Sequence, residues 1–231
     1  MHNHLLFVDT ETSGIPQSLN APVTDLDNWP FVLQIAWLVY DVEGNLLKEA
    51  NHFIYEEDIY IQESSIKIHG ITQDELKAKG EDRKYVLKKF ASDLRKYKPL
   101  VIGHFVEFDS KMLQVALFRA GQKNILKDYR HFCTMRSTTD YAVFPNNEYP
   151  KLEELHIRLF NERMERSHDA AIDVAATAKC FFELYRRGEL NDEILNNQPL
   201  FIKIGNKIGN KTGCGLPVLL FITIGLALLL L

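Results

Sequence analysis

The sequence predicts an α/β domain in which a mixed sheet of five strands is flanked by helices. A short apolar strand at the N-terminus is followed by two strand-like segments joined by a turn, which predicts a three-stranded meander. Helical and strand-like segments then alternate, as they do in sheets covered by helices. Apolar residues make up 46% of the 231 residues and charged residues 25%, which is typical of a globular protein.

The first three strands are recognised by their apolar and β-branched residues. Leu5–Val8 is a short buried strand, and Ile15–Pro30 is a long irregular loop with three prolines. Segments 31–41 and 45–55 flank a Val-Glu-Gly-Asn turn and predict a β-hairpin. The loop either shapes access to a site at the end of the first strand or is a surface feature without a role.

The helices that follow are predicted from their ends and apolar faces. Thr72 and Glu75 have the spacing of a helix start, and that helix stops at Gly80. Pro99 closes the next helix, whose apolar residues recur on one face. The remaining segments are strands at 100–104 and 130–135 and helices at 108–121, 151–160 and 168–188.

The C-terminal part differs from the rest of the chain. We expect residues 1–190 to form the domain, 191–211 a linker and 212–231 a transmembrane tail anchor. Thr212–Leu231 has no charge, and twenty helical residues span about 30 Å of bilayer. The alternative is a terminal core helix, which should keep a polar stripe. Three lysines before the segment predict a cytoplasmic flank, and the scattered cysteines suit a reduced cytosol. These residues are Lys203, Lys207, Lys211, Cys133, Cys180 and Cys214.

Two acids end the first strand. Asp9 and Glu11 are two residues apart, so on a strand they project to the same side. Like charges this close favour protonation unless a cation lies between them, and carboxylates suit a hard divalent ion such as Mg²⁺ or Mn²⁺. The alternative is an exposed strand end whose acids pair with lysine or cap a turn.

Further acids stand at the starts of two helices. Asp109 lies in the first turn of the helix after the fourth strand, and strand-to-helix junctions are where sites form in α/β sheets. Asp173 lies one turn into the last long helix, and His168 precedes it. Taken singly, Asp109 could be a helix-dipole acid, Asp173 a surface acid and His168 a loop histidine.

Together these motifs resemble a known family. The segments "DTET", "FD" within Gly103–Asp109 and "HDAAID", in this order, are similar to those of the DEDDh 3′–5′ exonucleases. This family includes the proofreading epsilon subunit of bacterial DNA polymerase III and has the ribonuclease H-like fold. The resemblance covers about residues 5–188 and includes "IHGIT" at Ile68–Thr72. One departure is Phe105, which follows His104 where members often have asparagine.

The resemblance implies a two-metal mechanism and a set of site residues. Asp9, Glu11, Asp109 and Asp173 would hold two divalent ions, Mg²⁺ or Mn²⁺. His168 would be the general base that accepts the proton of the attacking water, and the product would be a nucleoside 5′-monophosphate. The family also suggests contacts with the terminal nucleotide. Residues in that position are Thr10, Thr12, His69 and Phe108. Phe108 could instead belong to the core.

Three functions remain open at this stage. The first is a metal-dependent 3′–5′ exonuclease acting on a nucleic acid 3′ end, with single-stranded DNA preferred by closeness to the proofreading type. The second is an exonuclease of RNA or oligoribonucleotides, because these site residues do not distinguish ribose from deoxyribose. The third is a non-catalytic, membrane-tethered nucleic-acid-binding module. A net charge of −4 argues against broad wrapping of duplex nucleic acid.

Two smaller features have competing interpretations. Lys77–Lys98 carries nine Lys and Arg against three acids, and is either a solvated helix face or a contact for phosphates or anionic lipid. The segment "NQPLFIK", with Gln198, Leu200 and Phe201, loosely resembles peptides that dock on sliding clamps, although so short a match also arises by chance.

Overall fold

The computed structural model describes residues 2–141, 149–164 and 168–200. Within them the chain forms six strands and eight α-helices. The strands are β1 His4–Thr12, β2 Val32–Asp41, β3 Leu46–Tyr55, β4 Glu81–Asp82, β5 Leu100–Gly103 and β6 His131–Cys133. The helices are α1 Glu63–His69, α2 Gln73–Lys79, α3 Arg83–Tyr97, α4 Val106–Arg119, α5 Thr134–Ser137, α6 Leu152–Phe160, α7 Ala170–Arg186 and α8 Asp192–Asn196.

The strands form one mixed sheet in the order β4-β3-β2-β1-β5-β6. Strands β1, β2 and β3 are the antiparallel meander that the sequence predicts, and β5 and β6 add in parallel beside β1. The prediction of five strands was one too few, because β4 pairs with Ile54 and Tyr55 at the far edge. Two residues are too short to show a strand period, and they directly precede the α3 helix signal.

Alternation along β1 divides the core between the two faces of the sheet. Leu6 and Val8 belong to a cluster with residues of α3 and α4, whereas Leu5 and Phe7 belong to a cluster with residues of α6 and α7. Successive side chains of a strand point to opposite faces, so a wholly apolar strand requires helices on both sides. The sheet is therefore covered on both faces, which fixes the helices that carry the later acids.

Several elements differ in extent from their predictions. Strand β1 runs on to Thr12, so Asp9 and Glu11 lie within it rather than after it. The start of α2 agrees with the sequence, since the Thr72 hydroxyl accepts a hydrogen bond from the Glu75 N–H at 3.2 Å. Helices α1, α5 and α8 were not predicted, because four to seven residues are too few to establish helical periodicity.

The chain remains attached to the domain beyond residue 190. Leu195 of α8 is buried in the cluster under α7, and Leu200 forms an antiparallel bridge with Arg130. The Gln198 side chain donates to the Ile194 carbonyl at 2.7 Å, so part of the clamp-like segment is used within the domain. The boundary at 190 and the clamp contact stay predictions, and Phe201 lies outside the described residues.

The predicted membrane anchor also lies outside the described residues. Across residues 2–141, 149–164 and 168–200, no helix has the length and apolar character needed to cross a bilayer. Thr212–Leu231 and its lysine flank are not part of these ranges.

Candidate active site

The site begins at the C-terminal end of β1, where acidic and hydroxyl side chains alternate. Asp9 and Glu11 project to the sheet face that α7 covers, as Phe7 does. Thr10 projects to the other face, towards the start of α4. One strand end therefore contacts both helices that carry the remaining acids.

Asp109 is held against β1 by Thr10. The Thr10 backbone N–H and hydroxyl both donate to Oδ1 of Asp109, at 3.0 and 2.8 Å. Both groups are buried, and charge-assisted hydrogen bonds of this kind are short and geometrically specific. Since its only hydroxyl proton is used here, Thr10 acts first as the residue that positions Asp109.

Helix α7 brings Asp173 and His168 to the same place. The His168 backbone N–H donates to Oδ2 of Asp173 at 3.0 Å, and His168 has a φ of 68°. One potential ligand atom from each of Glu11, His168 and Asp173 lies within 4.8 Å of the other two. His168 and Asp173 follow Glu11 by 157 and 162 positions in the sequence. The fold nevertheless brings all three residues to one point.

Crowding of the acids changes their protonation. Burial, followed by the carboxylates of Asp109 and Asp173, raises the pKa of Asp9 well above its ordinary value. Burial raises the pKa of Glu11 to about 8, with contributions from Asp173 and Asp109. Burial also raises the pKa of Asp109 to about 7 and that of Asp173 to about 6, against opposing hydrogen bonds. Hydrogen bonds from the protein therefore compensate the charged forms only in part.

The donor set fits hard divalent cations. All four acids offer carboxylate oxygens, the ligands that Mg²⁺ and Mn²⁺ prefer. Oδ1 of Asp173 is buried and has no hydrogen-bond partner among the described residues. A buried carboxylate oxygen without a partner is costly, and a cation would satisfy it. The residues present are thus suited to hold a divalent metal ion, for which Asp9, Glu11, Asp109 and Asp173 are the candidate ligands.

His168 has the properties of a proton acceptor. The residue is exposed overall, but packing around its imidazole lowers its pKa, while Glu153 opposes the shift. A lowered pKa keeps the ring neutral near pH 7, which is the form that can accept a proton. Its position beside Glu11 and Asp173 places that acceptor next to the carboxylate cluster.

His69 and Thr12 form a second polar contact beside the acids. Nε2 of His69 lies 3.2 Å from the Thr12 carbonyl, and its Nδ1 accepts a hydrogen bond from the Ile71 N–H at 3.0 Å. Burial lowers the pKa of His69, and His168 lowers it further. These contacts are those of a neutral imidazole that donates from Nε2. The Thr12 hydroxyl donates to the Gly14 carbonyl at 2.7 Å.

Phe108 is a partly buried residue that packs against the core and against a neighbouring aromatic ring. It packs against the cluster under α3 and α4, as the core alternative predicts. Its ring is stacked on Phe105, with centroids 6.2 Å apart and an angle of 17°. Phe105, the residue that departs from the family pattern, has a φ of 80°, a left-handed conformation that is uncommon for a bulky side chain. A nucleotide contact by Phe108 stays a prediction.

A polar network at the start of α7 was missed in the sequence. Gln34 is almost fully buried on β2, directly opposite Glu11. Its amide donates to Asp169 at 3.1 Å and to Asn51 at 3.0 Å, and its oxygen accepts from the Ala170 N–H at 3.3 Å. Asp169 also caps the helix. The available signals were a lone glutamine in an apolar strand and an aspartate before a helix.

The loop Ile15–Pro30 is packed against the domain. The Trp29 indole is buried and donates to the Pro22 carbonyl at 3.0 Å. The Arg119 guanidinium donates to the Trp29 and Pro30 carbonyls, each at 2.6 Å, and Lys111 donates to the Leu19 carbonyl. Helix α4 therefore anchors the loop. Its role in substrate access stays a hypothesis.

Comparison with protein families gives one assignment. A family model described as Exonuclease (RNase_T) matches residues 6–181, which include every residue of the carboxylate cluster and His168. Among curated proteins, none matches the chain's sequence.

Comparison with solved structures supports the fold. The structure of E. coli exonuclease I with a dT13 oligonucleotide is 22% identical in sequence and has a TM-score of 0.65. The match covers 80% of this chain and 41% of the exonuclease I chain. The zinc-bound complex of E. coli exonuclease I with single-stranded DNA is 21% identical in sequence and has a TM-score of 0.67. That match covers 84% of this chain and 42% of the exonuclease I chain. The chain thus spans about two fifths of these relatives.

Proposed function

The chain belongs to the RNase_T exonuclease family, the DEDD-type 3′–5′ exonucleases of the ribonuclease H-like fold, and we propose that it degrades single-stranded DNA from the 3′ end. The observation that carries the proposal is the convergence of Glu11, His168 and Asp173 within 4.8 Å. A nucleic-acid-binding module would have no use for a histidine beside a cluster of acids with raised pKa values.

The proposed mechanism assigns a task to each element of the site. Asp9, Glu11, Asp109 and Asp173 would hold two divalent ions, either Mg²⁺ or Mn²⁺. When bound, such ions supply Lewis-acid chemistry to the scissile phosphate and to water. His168 accepts the proton of the attacking water, and each turnover releases a nucleoside 5′-monophosphate. The identity of the metal and the two-ion count belong to this proposal.

The terminal nucleotide would lie against the rim of the acid cluster. Thr12 and His69 form one side of this rim through the hydrogen bond between the His69 ring and the Thr12 carbonyl. On the α4 side, Phe108 presents a partly exposed ring, and aromatic faces stack on bases of any sequence. Thr10 would contribute through its backbone, since its hydroxyl is bonded to Asp109.

Single-stranded DNA is favoured as the substrate over RNA. Structures of E. coli exonuclease I contain a dT13 oligonucleotide and single-stranded DNA. An exoribonuclease is the second candidate, because discrimination against RNA depends on contacts near the 2′ position.

The proposal includes a tether. Residues 212–231 are uncharged and long enough to span a bilayer, so they would anchor the domain through residues 201–211, with the catalytic part in the cytoplasm.

The test uses 5′-labelled single-stranded DNA and RNA of the same sequence. With Mn²⁺ the full chain should shorten the DNA stepwise from its 3′ end, and EDTA or Asp9→Ala should abolish shortening. Faster shortening of RNA would transfer the assignment to the second candidate. Retention of the oligonucleotide without any shortening would identify a binding module and refute the nuclease.

A further inference from the structure

The end of the sheet opposite the acids carries a group of cations, which we call the basic end. It consists of Arg95, Lys98, Lys127 and Arg130. All four side chains are exposed, and none forms an ion pair with another described residue. Arg130 does donate a hydrogen bond to the Gln198 carbonyl. The basic end therefore presents uncompensated positive charge to its surroundings.

Contacts between the elements place these residues together. The imidazole of His4, at the start of β1, bonds to the Tyr97 carbonyl at 2.8 Å, so α3 ends where β1 begins. Arg130 directly precedes β6, which pairs with the start of β5. Arg95 interacts electrostatically with Tyr129. Asp9 lies five residues further along β1, or about 16 Å at strand rise.

Positive charge is concentrated around this end. Segments 95–98 and 127–130 together contain five Lys and Arg and one acid, although the whole chain has a net charge of −4. Asp128 is exposed beside Lys127. Asp41 pairs with His4 at the same end of the sheet, so the positive charge is confined to the side formed by the end of α3 and the start of β6.

The C-terminal segment departs from the same end. Leu200 bridges to Arg130, and the Pro199 carbonyl accepts from the His131 N–H at 3.4 Å. In the sequence, residues 201–211 contain three lysines and no acid before the uncharged segment 212–231. Eleven residues reach at most about 40 Å when fully extended. A membrane that held the tail would therefore lie within about 40 Å of Leu200, which is beside the basic end.

We propose that the basic end docks on the anionic headgroups of the membrane that holds the tail, so that the acid cluster faces away from the bilayer. This inference rests on the tether under "Proposed function" and goes beyond it. Polybasic segments beside a membrane span bind anionic lipid, and the attraction acts within about 10 Å of the surface. A track for the strand behind the 3′ end is the competing use of these cations, and the test below separates the two.

The test measures how close the basic end lies to lipid. The full chain carries Cys214→Ser and a donor dye at Ser92→Cys, an exposed position on α3; Cys133 and Cys180 are buried. It is reconstituted into vesicles with acceptor-labelled headgroups, made of phosphatidylcholine alone or with added phosphatidylglycerol. Energy transfer should be higher in the anionic vesicles and should fall to the neutral-vesicle value at high salt.

Charge-reversal variants identify the surface. The double variant Arg95→Glu/Lys98→Glu should give the neutral-vesicle transfer in anionic vesicles. A matched control, Lys84→Glu/Lys88→Glu, reverses two exposed lysines nearer the start of the same helix and should keep the wild-type transfer. The salt titration uses the unaltered basic end, so the test does not depend on how the variants fold.

Three outcomes would overturn the inference. The first is equal energy transfer in neutral and anionic vesicles. The second is failure of the chain to float with vesicles. The third is unchanged energy transfer in the Arg95→Glu/Lys98→Glu variant together with weakened binding of oligo-dT. The last would assign the basic end to nucleic acid. Shortening of DNA with Mn²⁺ is measured on the same vesicles, so failure of docking and failure of the nuclease are seen separately.

Discussion

At the scale of single residues, the carboxylate cluster is stable only when some of its carboxyl groups are protonated or when a cation is bound to them. The folded-state pKa values of Glu11, Asp109 and Asp173 are about 8, 7 and 6, above those of an unfolded chain. Without metal, the unfolded chain loses these protons first as the pH rises. The contribution of the cluster to stability is therefore present below about pH 4 and is lost as the pH rises towards 8.

This sign predicts a pH-dependent response to metal. Mn²⁺ binds ionised carboxylates of the folded state, so it should raise the Tm much more at pH 8 than at pH 5. Thermal scans of the full chain with EDTA and with excess Mn²⁺ across this range provide the measurement. Asp9→Ala serves as the control and should reduce the response. An increase in Tm of equal size at both pH values would contradict the protonation of the cluster.

The role of His168 gives a second prediction at this scale. His168→Ala should lower kcat by about two to four orders of magnitude, because the water loses its proton acceptor. Mn²⁺ binding by calorimetry should persist, since the four acids remain. At Mn²⁺ concentrations that saturate the acids at each pH, the wild-type rate should fall in acid as the imidazole becomes protonated, at a pH below the ordinary histidine value, and the variant should lack this limb. Turnover equal to wild type would remove His168 from the mechanism.

The sequence reveals the acids and histidine but not their supporting partners. Asp9 and Glu11 are apparent because two acids end an apolar strand, and the family resemblance links them with Asp109, Asp173 and His168. Their assigned roles stay predictions. The hydrogen bonds from Thr10 to Asp109 join residues 99 positions apart, and such a partnership depends on how two elements pack. No local pattern encodes it.

At the scale of elements, the start of α7 is fixed to the sheet by Gln34. Its amide N–H donates to the cap residue Asp169, and its amide oxygen accepts from the Ala170 N–H. Both partners lie at the N-terminus of the helix. Since α7 carries Asp173 and is preceded by His168, a small displacement of this terminus would move both side chains relative to Glu11. Gln34 is therefore a positioning residue rather than a catalytic one.

This arrangement predicts separate effects of Gln34→Met on stability and catalysis. The variant keeps the side-chain length but leaves a buried N–H without a partner, which should cost about 1–3 kcal/mol. We expect kcat to fall about ten- to a hundredfold with little change in KM, because the site is misaligned rather than emptied.

The matched control for Gln34→Met is a helix cap at the β4 edge of the sheet, three strands away from β1. Asp82 accepts from the Tyr85 N–H at the start of α3, so Asp82→Ala should cost about 0.5–2 kcal/mol without changing kcat. Chemical denaturation and steady-state kinetics on both variants provide the measurements. If both lower kcat equally, the effect reports general destabilisation and Gln34 has no positioning role.

Long elements were predictable and short ones were not. Helices α3, α4, α6 and α7 have enough turns to display an apolar face, and β2 and β3 have enough residues to display strand composition. Strand β4 and helices α1, α5 and α8 are too short for any period. They depend on tertiary packing, which overrides weak local preferences.

At the scale of the whole molecule, the described chain continues past the predicted domain boundary at residue 190. Helix α8 packs the buried Leu195 under α7, and Leu200 extends the sheet edge beside Arg130. Composition suggested a linker because residues 191–211 include a polar tandem repeat, and composition does not report which side chains are buried.

Two truncations test where the folded unit ends. A chain ending at residue 190 loses the burial of Leu195, worth about 1.5–3 kcal/mol, and exposes part of the apolar surface under α7. For a domain of this size, that loss should lower the Tm by about 4–10 °C. A chain ending at residue 200 keeps α8 and the Arg130–Leu200 bridge, so its Tm should equal that of the full chain in the same detergent buffer. If the chains ending at 190 and 200 unfold at the same temperature, residues 191–200 do not stabilise the domain. The tether would then begin at the end of α7 rather than at the basic end.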